Sequence, residues 1–399
     1  MKKLTILFLC IMPLLVHAQD YFIKDIEPSE CNFCNKRFHF KDLITLEHTS
    51  IKNQASSGTC WSYSTNSFLE SEMMRMGKNP VELSQMYSTR CVYLDKAENY
   101  VRMHGAIAWG DGGECHDVLN MYSKYGAMPY DAYPGLNYGT TKNKTGELAA
   151  VLKGMLDAVV SNPNGKLTSA WKNAVSATLD AYLGELTETF KFDGRRYTPI
   201  SFARERVGIH PEDYIEFSSF SNQPYYKKTI LMVPDNWSYN RVYNVRMDDL
   251  TDIIDRAINH GFTVAWAADI SEKYFSWKNG IAYVPEKEVD DMSEDEKKMM
   301  FFGPIFKERF ITPGMRQTAF DNYETTDDHG MHIVGIAEDQ YHKKYYKVKN
   351  SWDSKNDHNG YMYVTKTYVK YKTTAILLHK SAVSGDLRNH LNLGTSREY

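Results

Sequence analysis

The amino-acid sequence predicts an α+β protein with two lobes, one mostly helical and one built on an antiparallel sheet, with a helical subdomain inserted between them. Apolar residues follow helical spacing in the first third of the chain, whereas short apolar runs bounded by turn residues dominate the last third. The chain has 399 residues, which exceeds one average domain. Its hydrophobic content of 42% is typical of a folded globular protein.

The first lobe is predicted over residues 19–136 as a set of helices. Turn formers at residues 53–58 precede a helix expected over 61–76, with Gly77 after its end. Ser84 is expected to cap a second helix that runs toward Met103. A third helix with one apolar face is expected to end at Gly126.

The middle segment, residues 137–239, contains few strand patterns. Helical periodicity appears at Leu148–Val160 and at Ala170–Leu186. We therefore expect a mostly helical inserted subdomain here.

Residues 240–380 are expected to form the sheet lobe. An amphipathic helix ends at Gly261, and the acidic stretch Asp290–Met300 predicts a solvated helix. Strands are predicted at Phe262–Ala267, His329–Ala337, Tyr345–Asn350 and Gly360–Thr365. A polar tail, residues 381–399, follows.

The first 18 residues read as a secretory signal. Lys2 and Lys3 precede an apolar run from Leu4 to Val16, and a small-residue cleavage site ends at Ala18. The protein is therefore expected to be exported, to the periplasm or outside the cell. With a formal charge of -3 and no basic stripe, nucleic acid is not an expected partner, and no further stretch suggests a membrane span.

Five cysteines lie beyond this signal, and an oxidising compartment favours two disulfides and one free thiol. If Cys60 is free, the remaining four can pair in three ways: Cys31, Cys34, Cys91 and Cys115. The close pair Cys31 and Cys34 is alternatively a redox or metal pair, although no second close pair completes four ligands.

The run Ser57–Ser62 places Cys60 at the start of a predicted helix. A helix N-terminus and an imidazolium both favour a thiolate, which is the reactive form of cysteine. If the thiol attacks a carbonyl, the Cys60 N–H and the side-chain amide of Gln54 can stabilise the resulting oxyanion. The alternative is a buried structural thiol, which is common for free cysteine.

A thiol nucleophile needs an imidazole as proton carrier and a third group to orient it. His329 and His332 compete for this role, and on one strand their odd spacing directs them to opposite faces. Asn350 ends a later strand and can accept the imidazole N–H, while Trp352 can shield that bond from water. Alternatively, Asn350 is a plain turn residue and Trp352 a core aromatic.

These motifs resemble those of papain-like cysteine peptidases. The resemblance rests on four blocks in the family's order: Gln54, Ser57–Trp61, His329–Gly335 and Asn350–Trp352. It selects His329 over His332, because Val334 and Gly335 follow His329 at the family's spacing. One departure is Ser57, where the family pattern has a cysteine.

Further motifs are similar to the bleomycin hydrolase and aminopeptidase C branch, and the resemblance covers nearly all of residues 45–372. These motifs are Glu82–Gln85, Asp95–Glu98, Asp111–Gly113, Tyr125–Gly126, Pro199–Tyr214 and Asp269–Phe275. The branch implies a papain-like two-lobed fold and peptide substrates, with no metal or cofactor. It also implies that Gly112 and Gly113 line the cleft as bare backbone, with Trp352 beside it.

Members of this branch form homohexamers, so the resemblance implies that this chain is also a homo-oligomer. A C-terminal arm in the cleft makes those relatives aminopeptidases. The polar tail of this chain departs from that arm. The expected function is an exported aminopeptidase with a Cys60, His329, Asn350 and Gln54 site. The alternatives are a papain-like endopeptidase, an acyltransferase that uses the same thioester chemistry, and a catalytically silent peptide-binding protein.

Overall fold

A computed structural model describes residues 38–163, 165–302 and 307–393. The predicted signal peptide, Cys31, Cys34 and the last six residues of the tail lie outside the described residues. No helix within these ranges is long and apolar enough to cross a membrane.

Helices dominate the first half of the described chain. The α-helices are α1 (Cys60–Arg75), α2 (Gln85–Arg102), α3 (Cys115–Tyr125), α4 (Gly146–Val160), α5 (Ala170–Leu183), α6 (Pro199–Phe202), α7 (Met247–Asn259), α8 (Glu294–Met299), α9 (Pro313–Asp321), α10 (Lys366–Lys372) and α11 (Gly385–His390). Helix α1 begins at Cys60, and Ser84 caps α2 by accepting a hydrogen bond from the Tyr87 N–H at 3.0 Å. The three predicted helices of the first lobe are thus confirmed.

Most strands fall in the second half. They are β1 (Phe40–Thr45), β2 (Phe190–Phe192), β3 (Arg195–Tyr197), β4 (Tyr214–Ser218), β5 (Lys227–Ile230), β6 (Arg241–Asn244), β7 (Val264–Ala268), β8 (Phe275–Ser276), β9 (Ile281–Ala282), β10 (His329–Asp339), β11 (Lys344–Lys349), β12 (Tyr361–Thr365) and β13 (Thr373–His379). Strands β2 and β3 form a small hairpin, and the others form one sheet in the order β5-β6-β4-β13-β7-β10-β11-β12-β9-β8, with β1 paired to β10. Most pairs are antiparallel, but β4–β6 and β9–β12 are parallel.

Strand β10 is the centre of this sheet. Its first half pairs with β7, from His329 opposite Ala268 to Ile333 opposite Val264. Its second half pairs with β1, and β11 runs along the other edge. Because backbone partners hold both edges, the direction of each side chain on β10 is fixed by its position along the strand.

Two large hydrophobic clusters correspond to the two lobes. One contains α1 to α5, and the other packs α7 and α10 against the sheet. The α+β prediction is confirmed, since the protein has a helical part and a sheet part, each with its own core.

The mostly helical prediction for residues 137–239 holds only for the first half of that segment. Helices α4 and α5 are present, but β4 pairs with β13, and β5 pairs with β6, so both join the large sheet. These strands are only five and four residues long. Their alternation is too short to be recognised in the sequence, because pairing with neighbouring strands is what stabilises them.

The expectation of two disulfides is wrong for the described cysteines. Cys91 and Cys115 are free, and each is 1% exposed. Cys91 lies on α2 beside the Tyr87 hydroxyl, and Cys115 begins α3 beside Thr65. Each thiol therefore packs as a small apolar group inside the helical lobe.

Candidate active site

The thiol of Cys60 sits where helix α1 meets strand β10. A Cβ added to Gly330 would lie 3.0 Å from the Cα of Trp61 and 2.8 Å from Oγ of Ser64, so only glycine allows this approach. The Gly330 backbone also hydrogen-bonds the Cys60 sulfur. The nucleophile candidate is consequently held beside the residue that follows His329.

The imidazole of His329 is oriented by Asn350. Nε2 of His329 lies 2.7 Å from Oδ1 of Asn350, and the same oxygen accepts a hydrogen bond from the Ser351 N–H at 2.7 Å. Because an amide oxygen only accepts, Nε2 must carry the proton in this pair. The neutral ring therefore has its lone pair on Nδ1, the nitrogen left for a proton from a thiol.

Trp352 covers this imidazole. Its ring centroid is 4.6 Å from that of His329, and Trp277 packs against Trp352 in an edge-to-face contact with 5.5 Å between the ring centroids. Trp352 is only 5% exposed, so it shields the His329–Asn350 bond but presents little surface to a peptide. We therefore expect Trp352 to support His329 and Asn350 rather than to contact the substrate directly.

His332 faces away from this group. Its Nδ1 lies 3.0 Å from Oγ of Ser67 on α1, and its ring meets Phe68 edge to face. Burial lowers the pKa of His332 far below the usual value. The structure thus separates the two histidines, as their odd spacing on the strand predicts.

Gln54 lies in the loop before α1 and is 1% exposed. Its Nε2 donates to the Ser57 carbonyl at 2.8 Å, while its Oε1 accepts from the Ser351 hydroxyl. The backbone N–H of Gln54 also donates to the Ser351 carbonyl at 2.9 Å. These bonds hold the Gln54 amide in a fixed orientation in the loop that leads into Cys60.

The electrostatics favour a neutral resting pair. Burial among the surrounding side chains raises the pKa of Cys60 to about 12, although backbone hydrogen bonds oppose the shift. Burial also lowers the pKa of His329 to about 4, against the effect of Asn350. The sequence suggested that the helix N-terminus would lower the pKa of Cys60, but in the structure the effect of burial on this pKa is larger.

The two predicted cleft glycines are in different surroundings. A Cβ on Gly113 would lie 2.9 Å from the Trp61 ring and 3.0 Å from Asp117. A Cβ on Gly112 would overlap the carboxylate of Asp235. Gly112 is therefore not bare backbone, because an acidic side chain already covers it.

Several residues near the site were missed by the sequence analysis. Asp327 accepts the Asp235 N–H at 2.8 Å, and buried Lys96 donates to the Gly112 carbonyl at 2.9 Å. Asp327 stands two positions before His329, and Lys96 lies within the motif Asp95–Glu98, so their positions next to recognised motifs could have indicated both residues. No sequence motif near Asp235 indicated that it lies at the site.

Within the described ranges, no group of three acidic, histidine or cysteine side chains is arranged to hold a metal ion.

Comparisons with known proteins identify the family of the chain. The profile of the Peptidase C1-like family matches residues 98–395, which is more than half of the chain. Aminopeptidase C of Listeria monocytogenes is 24% identical over 383 residues, covering 86% of this chain and 82% of that protein. Bleomycin hydrolase of Rattus norvegicus is 23% identical over 403 residues, covering 86% and 83%.

A solved structure supports the fold. PepW of Lactobacillus rhamnosis superposes with a TM-score of 0.69 at 19% identity, covering 88% of this chain and 84% of PepW. The resemblance found in the sequence is thereby confirmed. The chain belongs to the Peptidase C1-like family and is a papain-like cysteine peptidase of the bleomycin hydrolase and aminopeptidase C branch.

Proposed function

We propose that this peptidase is an exported aminopeptidase in which Cys60 is the nucleophile, His329 the proton carrier and Asn350 the orienting group. The observation that carries the proposal is the 2.7 Å contact between His329 Nε2 and Asn350 Oδ1, on a strand whose next residue contacts the start of α1. That contact leaves Nδ1 as the proton-accepting nitrogen of His329, which supports its role as the acceptor of the Cys60 proton.

The first half of the reaction forms an acyl-enzyme. The Cys60 proton moves to Nδ1 of His329 while Sγ bonds to the substrate carbonyl carbon, so the positive charge on the imidazolium is balanced by the negative charge that develops on the carbonyl oxygen. The carbonyl oxygen becomes an oxyanion stabilised by Gln54 and the Cys60 N–H. The carbon–nitrogen bond then breaks, and His329 returns the proton to the leaving amine.

The second half releases the product. His329 takes a proton from a water molecule, whose oxygen attacks the thioester carbon. The carbon–sulfur bond breaks, the acid product leaves, and the proton returns to the Cys60 sulfur. Asn350 keeps Nε2 protonated throughout, so that Nδ1 handles every proton transfer.

Cleavage from the amino end and export rest on separate arguments. Relatives named aminopeptidase C and bleomycin hydrolase match over most of their length. The export proposal rests on the basic start, apolar run and cleavage site of residues 1–18. Fractionation of the native host should find the protein outside the cytoplasm, starting after Ala18.

Cys60→Ala tests the chemistry directly. The variant should lose cleavage of aminoacyl fluorogenic amides and labelling at position 60 by a thiol-reactive epoxide, because both need the Cys60 sulfur. Cys91→Ala removes a buried thiol elsewhere and should retain both. Wild-type protein that cleaves no such amide under reducing conditions would favour the silent binding protein instead. Diversion of the acyl group to added amines would favour an acyltransferase.

A further inference from the structure

The loop between β5 and β6, residues 231–240, crosses from the sheet lobe to the helical lobe. Trp237 in this loop is 4% exposed, and its indole N–H donates to Oδ2 of Asp117 on α3 at 2.9 Å. Its two flanking strands belong to the large sheet. The loop is therefore anchored on both sides of the cleft.

Internal hydrogen bonds hold the loop in shape. Nδ2 of Asn236 donates to the carbonyls of Leu231 at 2.8 Å and Asn240 at 2.9 Å, and its Oδ1 accepts the Asn240 N–H at 2.8 Å. Asn236 is 4% exposed, so these bonds are sheltered from water. A loop tied in this way acts as a fixed wall rather than a lid.

Asp235 is the residue that this wall presents to the cleft. Its carboxylate covers Gly112 and is close enough to Cys60 to act electrostatically on the thiol. Its backbone is fixed by the hydrogen bond to Asp327. Within the described ranges, no hydrogen-bond donor reaches the two carboxylate oxygens of Asp235, so they are available for a ligand.

The surroundings of Asp235 have an excess of negative charge. Lys96 is buried behind Gly112, and its ammonium interacts with four carboxylates, those of Asp235, Asp117, Asp111 and Asp327. Asp117 lies fully buried beneath Gly113, and its Oδ1 accepts no hydrogen bond from the residues described. Two cations, Lys96 and His116, therefore face five carboxylates once Glu216 is counted, which leaves a site suited to a cation.

We propose that Asp235, supported by Asp327, binds the free α-ammonium group of a peptide substrate and so limits this enzyme to cleavage near the amino end. The inference rests on the proposed aminopeptidase function and names the residue that restricts cleavage to the amino end of the substrate. A peptide that extended past Asp235 along Gly112 would collide with the carboxylate. A peptide that begins there places its ammonium against the two free oxygens, which gives a charge-assisted hydrogen bond.

The test compares two matched fluorogenic amides, one with a free amino group and one acetylated. Asp235→Asn keeps the size of the side chain but removes its charge. We expect KM for the free amine to rise about 10- to 100-fold, the loss typical of a hydrogen bond to a charged group. The preference for the free amine over the acetylated amide should fall by a similar factor. Asp295→Asn, on the exposed helix α8, should leave both values unchanged.

Asp235→Gly tests the steric part of the proposal and should increase cleavage of acetylated and longer amino-extended peptides. Complete labelling of Cys60 by the epoxide in both variants reports an intact fold and nucleophile, whereas the labelling rate itself is expected to change because Asp235 acts electrostatically on the thiol. If labelling is complete and Asp235→Asn keeps the wild-type preference, the inference is overturned while the proposed function stands. If the wild-type protein cleaves neither amide, both are overturned together.

Discussion

Asn350 holds His329 through a single amide oxygen, which accepts from Nε2 of the ring at 2.7 Å and from the Ser351 N–H at the same distance. The second bond fixes which end of the amide faces the ring, so the orientation of Asn350 also fixes the tautomer of His329. With Trp352 packed over the pair, water has little access to this bond.

Asn350→Ala should lower kcat/KM about 10- to 100-fold, because the imidazolium that forms during catalysis loses a hydrogen bond and its fixed orientation. Steady-state kinetics with a free-amine amide would measure this effect. Asn259→Ala changes an asparagine on the exposed side of α7 and serves as control. Unchanged kinetics in Asn350→Ala would remove Asn350 from the mechanism.

Gln54→Ala should reduce kcat about 10²- to 10³-fold with little change in KM, since an oxyanion donor acts chiefly in the transition state. Single-turnover measurements of acylation would locate the loss in the chemical step. The matched control is Gln340→Ala, which alters an exposed glutamine. A change confined to KM would show that Gln54 only helps to bind substrate.

Ser351→Ala should lower kcat about tenfold, because the Gln54 amide loses the hydroxyl that holds its oxygen. The effect should be absent in a Gln54→Ala background, where there is no amide left to position. Double-mutant kinetics measure this coupling. Ser354→Ala, an exposed neighbour, should be silent, and additive losses would show that Ser351 acts independently of Gln54.

Thiol labelling should distinguish Cys60 from the two buried cysteines. Native protein treated briefly with iodoacetamide should be alkylated at Cys60, which is partly accessible, but not at Cys91 or Cys115. After denaturation without reductant, both buried cysteines should also react, because neither is in a disulfide. Peptide mass mapping reads out each site. Failure of Cys91 or Cys115 to react in the denatured protein would indicate a bridge.

The pair His116–Glu216 should make stability depend on alkaline pH. Burial opposes the charge on His116, but Glu216 at 2.6 Å and Asp117 together raise its pKa to about 9. Because this pKa is higher in the folded than in the unfolded protein, the protonated His116 stabilises the fold fully below about pH 6.5, and this stabilisation is lost as the pH rises through 9. The expected loss in the free energy of unfolding is on the order of 3 kcal/mol.

Urea unfolding at pH 6, 7.5 and 9 would measure this decline. In His116→Gln the decline should be shallower, whereas His39→Gln, which changes an exposed histidine, should keep the wild-type slope. Equal slopes in all three proteins would contradict a charged His116.

Much of the site could be predicted because its signals are local. Helix α1 begins at Cys60, where turn residues give way to helical spacing, and alternation along β10 separates His329 from His332. Strands β4 and β5 could not be predicted, because their few residues are stabilised by pairing partners distant in sequence. The buried states of Cys91 and Cys115 also depend on packing between helices.

The sequence by itself determined the family, the two kinds of lobe and the order of the reactive groups, because periodicity and short motifs depend on neighbouring residues. Only the tertiary structure decided what surrounds those groups. It brought Asp235 from the β5–β6 loop onto Gly112, more than a hundred positions earlier in the chain, and it shields the Cys60 thiol and the His329 ring from water, which raises the pKa of Cys60 and lowers the pKa of His329. Contacts and desolvation of this kind arise from the folded arrangement of distant segments, and no local pattern encodes them.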